Sequence, residues 1–234
     1  MIRLIAFDLD GTLTQPKTPI DDKNRALLEG LSAKYSLLTV SARQSRKIYD
    51  QLRQFPIDVI GNYGLEYYRY DGGIGDLIAE RDLKYPCDRK SVARRVDFLR
   101  ERHSLTDFSG DGIVFYPSGC VTVALLGTQA LRADKLTFDP DRSRRRAIYS
   151  EVCDLFPEYN VFIGGASSFD LAPKPYNKYY ALDLYCKEKG FSHEEVVFVG
   201  DDYGMGGNDE SVFLSDFSFI KVDDYRCLEE YLRV

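Results

Sequence analysis

Short, wholly apolar runs alternate along this chain with stretches in which apolar residues recur at helical spacing. The apolar runs predict buried strands over residues 2–7, 36–40, 57–60, 196–199 and 217–222. The stretches with helical spacing predict helices over residues 22–34, around 48–55, 177–189 and 225–232. Residues 65–70, followed by Asp71-Gly72-Gly73, predict a hairpin. All-apolar strands that alternate with amphipathic helices are typical of a Rossmann-like, doubly wound parallel sheet, an α/β fold.

The middle of the chain has a different pattern. Strand pairs joined by short turns predict an antiparallel sheet, and two helical stretches accompany it. The predicted helices are 90–103 and 142–156, and the predicted strands are 112–116, 120–126, 160–163 and 168–172. This pattern indicates an α+β domain over residues 81–176, inserted into a core domain made of residues 1–80 and 177–234. The arginines at 142 and 144–146 predict a solvated helix face, with an anion site as the alternative.

Two carboxylates, Asp8 and Asp10, follow the first predicted strand at a loop that contains Gly11. Residues two apart on a strand share a face, so both acids are expected to converge at the carboxyl end of the strand. Two such close carboxylates need a cation between them or a retained proton, and a hard divalent ion suits oxygen ligands. One acid could then act as nucleophile and the other as proton donor. The alternative is an ordinary solvated turn.

Polar residues also follow the second predicted strand, in the run Ser41-Ala42-Arg43. Because parallel strands end at the same edge, Ser41 is expected near Asp8, where open α/β sheets bind their ligands. A hydroxyl group and the backbone N–H groups at a helix N-terminus can hold a phosphoryl oxygen. The alternative interpretation is a serine that caps the next helix.

Lysines and acids complete the candidate chemistry nearer the C-terminus. Lys174 and Lys178 precede or begin a predicted helix, where a lysine could neutralise a carboxylate and an incoming phosphate, or could simply be exposed. Asp201 comes directly after the strand at 196–199, in a glycine-rich loop, and is placed as a further metal ligand. Asn208 or Asp209 could hold metal-bound water.

Composition narrows the class of protein. The chain has 234 residues, 44% of them hydrophobic, and a net charge of -6, which gives no general attraction to nucleic acid or anionic membranes. No apolar run approaches the roughly 20 residues that span a bilayer, and the N-terminus is too quickly acidic for a signal peptide. Five scattered cysteines suggest reduced thiols and a cytoplasmic protein, and two histidines make a histidine-rich zinc site unexpected.

Taken in order, these sites resemble those of the haloacid dehalogenase superfamily of phosphotransferases. The resemblance covers the whole chain, and the inserted domain corresponds to the type-two cap of its IIB class. Within that class the likeness is closest to eukaryotic-type phosphomannomutases and sugar-phosphate phosphatases. The similar runs are residues 10–14, 64–68, 168–170 and 206–209. Alignment of Ser168-Phe169-Asp170 places the family's catalytic lysine on Lys178, with Lys174 as the alternative.

The resemblance implies roles for individual residues. Asp8 is the nucleophile that forms an aspartyl-phosphate, and Asp10 is its acid/base partner. Mg²⁺ is held by Asp8, the backbone carbonyl of Asp10 and Asp201, with Asp209 beside them. Ser41 and Lys178 complete the phosphate cradle. The residues expected to contact substrate are Lys17, Ser41, Ala42, Arg43, Ser168, Asp170 and Lys174.

The sequence differs from the mutases at the positions with which they bind the second phosphate of a sugar bisphosphate. The mutases have an arginine shortly after their acidic motif, and the residue at that position here is Lys17. The segments that match their arginine-bearing cap strands, residues 113–116 and 120–127, contain no arginine. Without guanidinium groups to hold a sugar bisphosphate, hydrolysis of a small phosphorylated metabolite is the preferred function. Phosphomannomutase activity is the alternative, and a non-catalytic module is disfavoured. The family's mutases often form dimers through their caps, so a homodimer is possible here.

Overall fold

The computed structural model describes residues 1–232 and divides them into two compact units. The core unit comprises residues 1–83, 176–204 and those from 209 onward, and the inserted unit comprises residues 84–175 with 205–208. The last two residues of the predicted core segment 177–234 lie outside the described part of the chain. Within the described part, no helix combines the length and the apolar character needed to cross a membrane.

Strands and helices follow one another in a regular order. The strands are β1 Leu4–Phe7, β2 Ser36–Val40, β3 Asp58–Gly61, β4 Glu66–Asp71, β5 Asp76–Asp82, β6 Ile113–Phe115, β7 Val121–Ala124, β8 Tyr159–Gly164, β9 Ser168–Pro173, β10 Val196–Gly200 and β11 Ser218–Lys221. The α-helices are α1 Asp22–Ser32, α2 Ser45–Gln51, α3 Arg89–Arg102, α4 Arg132–Phe138, α5 Ser143–Leu155, α6 Lys178–Lys189, α7 Glu210–Phe213 and α8 Leu228–Tyr231.

The core unit contains one sheet with the strand order β11-β10-β1-β2-β3-β4-β5. The first five strands in this order are parallel, and β4 and β5 add an antiparallel hairpin at one edge. Ile5 and Phe7 of β1 pack into one apolar layer, whereas Leu4 and Ala6 pack into another. Because both faces of the sheet are covered, strand β1 is apolar at every position. The predicted α/β core is confirmed.

The inserted unit contains an antiparallel sheet with the order β6-β7-β9-β8. Val121, Phe169 and Leu171 on one face pack with Val96 of α3 and Val152 of α5. This arrangement confirms the predicted α+β insertion. The prediction of two helices was incomplete, because α4 is a third. It contains no buried residue, so it offers no apolar stripe by which a sequence pattern could reveal it.

The sequence predicts a solvated helix face for the arginine cluster at the start of α5, and this prediction is wrong for one of its members. Arg145 is 1% exposed. Its Nε donates to Asp139 Oδ2 at 2.7 Å, and its Nη1 donates to the backbone carbonyls of Gly164, Gly165 and Ser168 at 2.7–3.1 Å. The guanidinium group therefore joins the start of α5 to the β8–β9 turn. Sequence analysis missed this role because the partners lie about twenty residues away along the chain.

We expect substitution of Arg145 to destabilise the inserted unit. Arg145→Met leaves the buried Asp139 carboxylate with backbone donors but no cation, and it removes the donor to three turn carbonyls, which should reduce the free energy of unfolding by about 3–5 kcal/mol. Urea unfolding monitored by circular dichroism measures this loss. Arg144→Met is the matched control, because the neighbouring side chain is exposed, and it should cost less than about 1 kcal/mol. Equal costs for the two variants would contradict the anchoring role.

Candidate active site

The carboxyl ends of β1 and β10 bring two carboxylates together in the core unit. Asp8 follows β1 and is 3% exposed, and its backbone N–H donates to the carbonyl of Val199 at 2.9 Å. Asp201 follows β10 directly. Since β1 and β10 are adjacent parallel strands, their ends lie at the same edge of the sheet. The structure thus places these two acids together, at the sheet edge expected from the sequence.

Lys178 is the first residue of α6 and is completely buried. Its Nζ contacts Asp8 Oδ1, and it donates to Asp209 Oδ1 at 2.7 Å. The side chain of Asn177 caps the same helix by accepting from the N–H of Tyr180 at 2.8 Å. A lysine at a helix N-terminus is electrostatically unfavourable on its own, so the two carboxylates are what stabilise the buried ammonium group.

Three carboxylates and one ammonium group therefore form a cluster. One ligand oxygen from each of Asp8, Asp201 and Asp209 lies within 4.8 Å of the other two. Burial and the charges of Asp209 and Asp201 raise the pKa of Asp8 well above its ordinary value, against the lowering effect of Lys178. Burial, with the charge of Asp209, raises the pKa of Asp201 to about 6. Burial lowers the pKa of Lys178, but Asp209 and Asp8 more than offset this and raise it above its ordinary value.

The loop after Asp8 is shaped to approach Asp201 closely. Gly11 has φ +102°, a left-handed conformation that favours glycine, and a Cβ added there would lie 2.4 Å from Asp201 Oδ2. The Thr12 hydroxyl donates to the other oxygen, Asp201 Oδ1, at 2.8 Å. This loop therefore fixes the orientation of the Asp201 carboxylate.

Asp10 points into a different set of donors. Its Oδ1 accepts from the backbone N–H of Lys17 at 2.8 Å and from Gln51 Nε2 at 2.7 Å. Arg43 Nη1 lies 3.6 Å from Oδ2 of the same carboxylate. The side chain of Lys17 is exposed, so its contact with Asp10 is through the backbone alone. Gln51 was missed from the sequence, because nothing in the local pattern of α2 distinguishes it from a helix-end residue.

Ser41 lies just beyond β2 and is 3% exposed, and Ala42 and Arg43 follow it half-buried. The alternative that Ser41 caps the next helix is wrong. Gln44 occupies the N-cap position of α2, and the Glu66 carboxylate accepts from the N–H of Ser45 at 2.6 Å instead. The Ser41 Oγ instead accepts from the backbone N–H of Arg43 at 3.4 Å, at the edge where β1 and β2 end.

The remaining predicted residues lie in the inserted unit. Asp170 Oδ1 accepts from the Thr122 hydroxyl at 2.6 Å, and the Ser168 hydroxyl donates to the carbonyl of Gly164 at 2.9 Å. Lys174 is exposed, in contrast to Lys178, whose amine contacts Asp8.

The chain belongs to the haloacid dehalogenase-like hydrolase family, whose pattern matches residues 2–204. It is 28% identical over 227 residues to a phosphomannomutase of Triticum aestivum, with 91% of this chain and 86% of that protein covered. It is 26% identical over 215 residues to phosphomannomutase 1 of Dictyostelium discoideum, with 88% and 84% covered. The enzyme class is therefore that of haloacid dehalogenase-like hydrolases, which act on small phosphorylated substrates such as sugar phosphates.

Solved structures of this fold are similar to the chain. An IMP-bound mutant of the Plasmodium falciparum IMP-nucleotidase has a TM-score of 0.70 at 15% identity, with 100% of this chain and 69% of that chain covered. A Bacteroides thetaiotaomicron protein described among the phosphatases of the superfamily has a TM-score of 0.61 at 17% identity, with 99% and 95% covered. At these identities the likeness confirms the fold.

We expect Gly11→Ala to disturb this site. The new methyl group would lie too close to the Asp201 carboxylate, and the backbone at this position would hold alanine in a left-handed conformation. The free energy of unfolding should therefore fall by at least about 1 kcal/mol. Gly30→Ala is the matched control, because Gly30 lies in α1 with no atom within 4 Å of an added Cβ. It should stabilise the protein by up to about 1 kcal/mol. Urea unfolding measures both, and a Gly11→Ala variant as stable as wild type would contradict the close approach.

Proposed function

We propose that this protein is a Mg²⁺-dependent phosphatase that hydrolyses a small phosphorylated metabolite, most suitably a sugar phosphate, through an aspartyl-phosphate. The observation that carries the proposal is the buried cluster in which Lys178 contacts Asp8 and Asp209 while Asp201 adds a third carboxylate. A buried nucleophile beside a fixed ammonium group and a surplus of negative charge suits transfer of a phosphoryl group.

The donor set fits a magnesium ion. When all three carboxylates are ionised, as a bound cation favours, they and the ammonium group carry two net negative charges, which match a divalent cation. Asp8 and Asp201, with the backbone carbonyl of Asp10, would hold the ion, and Asp209 lies beside them. All are oxygen donors, which Mg²⁺ prefers. When bound, the ion neutralises charge on the transferring phosphoryl group.

The side chains divide the reaction between them. An oxygen of Asp8 attacks phosphorus and displaces the leaving oxygen, which takes a proton from Asp10. Asp10 then accepts a proton from the water that hydrolyses the aspartyl-phosphate. Lys178 holds the Asp8 carboxylate in place, and Ser41 with the Ala42 and Arg43 segment is positioned to bind phosphoryl oxygens.

The composition of the inserted sheet favours hydrolysis over mutase activity. None of its four strands, β6 to β9, contains arginine or lysine. Ser168 and Asp170 on β9 are polar but not cationic, so they suit sugar hydroxyl groups better than a second phosphate. The inserted unit is proposed to act as the cap that supplies this specificity. Five free thiols in the described residues support a reducing, cytoplasmic location.

Phosphomannomutase activity is the second candidate function. The curated relatives reported above carry that name, and they match most of the chain. Such an enzyme would have to retain a sugar bisphosphate with groups other than arginines on the inserted strands.

The test of phosphatase function is phosphate release from a panel of phosphorylated metabolites. Wild-type protein should release phosphate in the presence of Mg²⁺, and the release should stop when EDTA is added. Asp8→Asn should lower the rate by at least about 1000-fold, since it removes the nucleophile while it keeps the side-chain shape. Asp50→Asn, at an exposed residue of α2, should leave the rate unchanged.

Two outcomes would contradict the proposal. Phosphate release by Asp8→Asn near the wild-type rate would exclude Asp8 as nucleophile. Interconversion of mannose 1- and 6-phosphates that requires glucose 1,6-bisphosphate, with little phosphate released, would identify a mutase instead of a phosphatase.

A further inference from the structure

The Asp10 carboxylate is held by a hydrogen-bond network whose central member, Gln51, has no role in the chemistry proposed above. Gln51 is the last residue of α2 and is 7% exposed, although glutamine is mostly a surface residue. Its Nε2 donates to Asp10 Oδ1 at 2.7 Å and to Thr14 Oγ1 at 2.6 Å. Both amide hydrogens are therefore used.

The orientation of the Gln51 amide is fixed from the other side. Arg43 Nη1 donates to Gln51 Oε1 at 2.7 Å, and a guanidinium group can only donate. The oxygen of the amide must therefore face Arg43, so its nitrogen must face Asp10. The Thr14 hydroxyl donates to the carbonyl of Leu9 at 3.3 Å, which leaves its oxygen free to accept from Gln51. Both amide hydrogens of Gln51 and the hydroxyl hydrogen of Thr14 therefore have acceptors.

This network makes the two oxygens of Asp10 unequal. Oδ1 accepts from two N–H groups, those of Gln51 and of the Lys17 backbone, and neither can accept a hydrogen in return. Among the described residues, the group recorded against Oδ2 is the side chain of Arg43, whose Nη1 lies 3.6 Å away, beyond hydrogen-bond distance. The oxygen able to carry and deliver a proton is thus Oδ2.

We propose that Gln51, oriented by Arg43, is a positioning residue that directs Asp10 Oδ2 toward the leaving oxygen of the substrate. This inference rests on the proposed phosphoryl transfer. In that step the bond from an Asp8 oxygen to phosphorus forms and the bond from phosphorus to the leaving oxygen breaks. The leaving oxygen keeps the electron pair and takes the proton of Oδ2, and Asp10 becomes a carboxylate. Arg43 thereby acts through Gln51, in addition to any contact with phosphate.

The basicity of the leaving group provides the test. A weakly basic leaving group departs without a proton, whereas a strongly basic leaving group needs a proton from the general acid. Nitrophenyl phosphate releases a weakly basic phenolate, whereas phenyl phosphate releases one with a pKa of about 10, like that of tyrosine. With enzyme in excess over substrate and Mg²⁺ present, the rate of phenol release reports the first step alone. The quantity to compare is the ratio of the phenyl rate to the nitrophenyl rate.

We expect Gln51→Leu to lower this ratio by about tenfold or more, since proton donation contributes about 100- to 10,000-fold to such steps. Arg43→Met should also lower the ratio, but by a smaller factor, because Gln51 is still present and only the hydrogen bond that orients its amide is lost. Any uniform loss of phosphate binding cancels in the ratio. Gln129→Leu, at an exposed glutamine of the inserted unit, should leave both rates at the wild-type value.

The possible outcomes distinguish failure of this inference from failure of the proposed phosphatase function. If Gln51→Leu does not fold, as judged by circular dichroism, Arg43→Met decides the question. An unchanged ratio in the folded variants, with both rates lowered equally or not at all, would overturn the positioning role while the proposed function stands. If the wild-type protein released neither nitrophenol nor phenol, that result would contradict the proposed function itself.

Discussion

The candidate active site depends on one buried ammonium group. Lys178 has no exposed surface, and Asp8 and Asp209 contact its Nζ. A buried lysine or a buried aspartate would each be strongly disfavoured alone, so each is stable only because the other is present. The lysine belongs to α6 and the nucleophile candidate follows β1, 170 residues away along the chain. Correct folding of the core unit is therefore what assembles the charge cluster.

The Asp209 carboxylate of the cluster is held by its own loop. Asp209 Oδ2 accepts from the backbone N–H of Asp202 at 3.0 Å, which closes the loop between β10 and α7. A Cβ at Gly200 would lie 2.5 Å from the same oxygen, so the absence of a side chain there lets the carboxylate approach the strand. The loop thus fixes Asp209 against Lys178, and the Gly11–Thr12 segment fixes Asp201 from the opposite direction.

Much of this arrangement was predictable from sequence because it follows from strand ends. Asp8, Ser41 and Asp201 each come just after an apolar strand, and parallel strands bring such residues to a common edge. The Arg145 anchor and the Gln51 network were not predictable in this way. Both depend on hydrogen bonds between residues distant in sequence, and neither residue type marks its role, since arginine and glutamine are usually exposed. Helix α4 was missed for the complementary reason that it buries nothing.

The central claim is that the cluster carries two more negative charges than positive ones and therefore binds one divalent cation. Calorimetric titration of EDTA-treated protein with MgCl₂, in two buffers of different ionisation enthalpy, tests it directly. Because burial raises the pKa of Asp201 to about 6 and the pKa of Asp8 above its ordinary value, the ion-free cluster is partly protonated near pH 6, and Mg²⁺ should displace those protons. The account predicts saturable binding of one ion, with more proton release near pH 6 than at pH 8. Absence of saturable binding at either pH would contradict it.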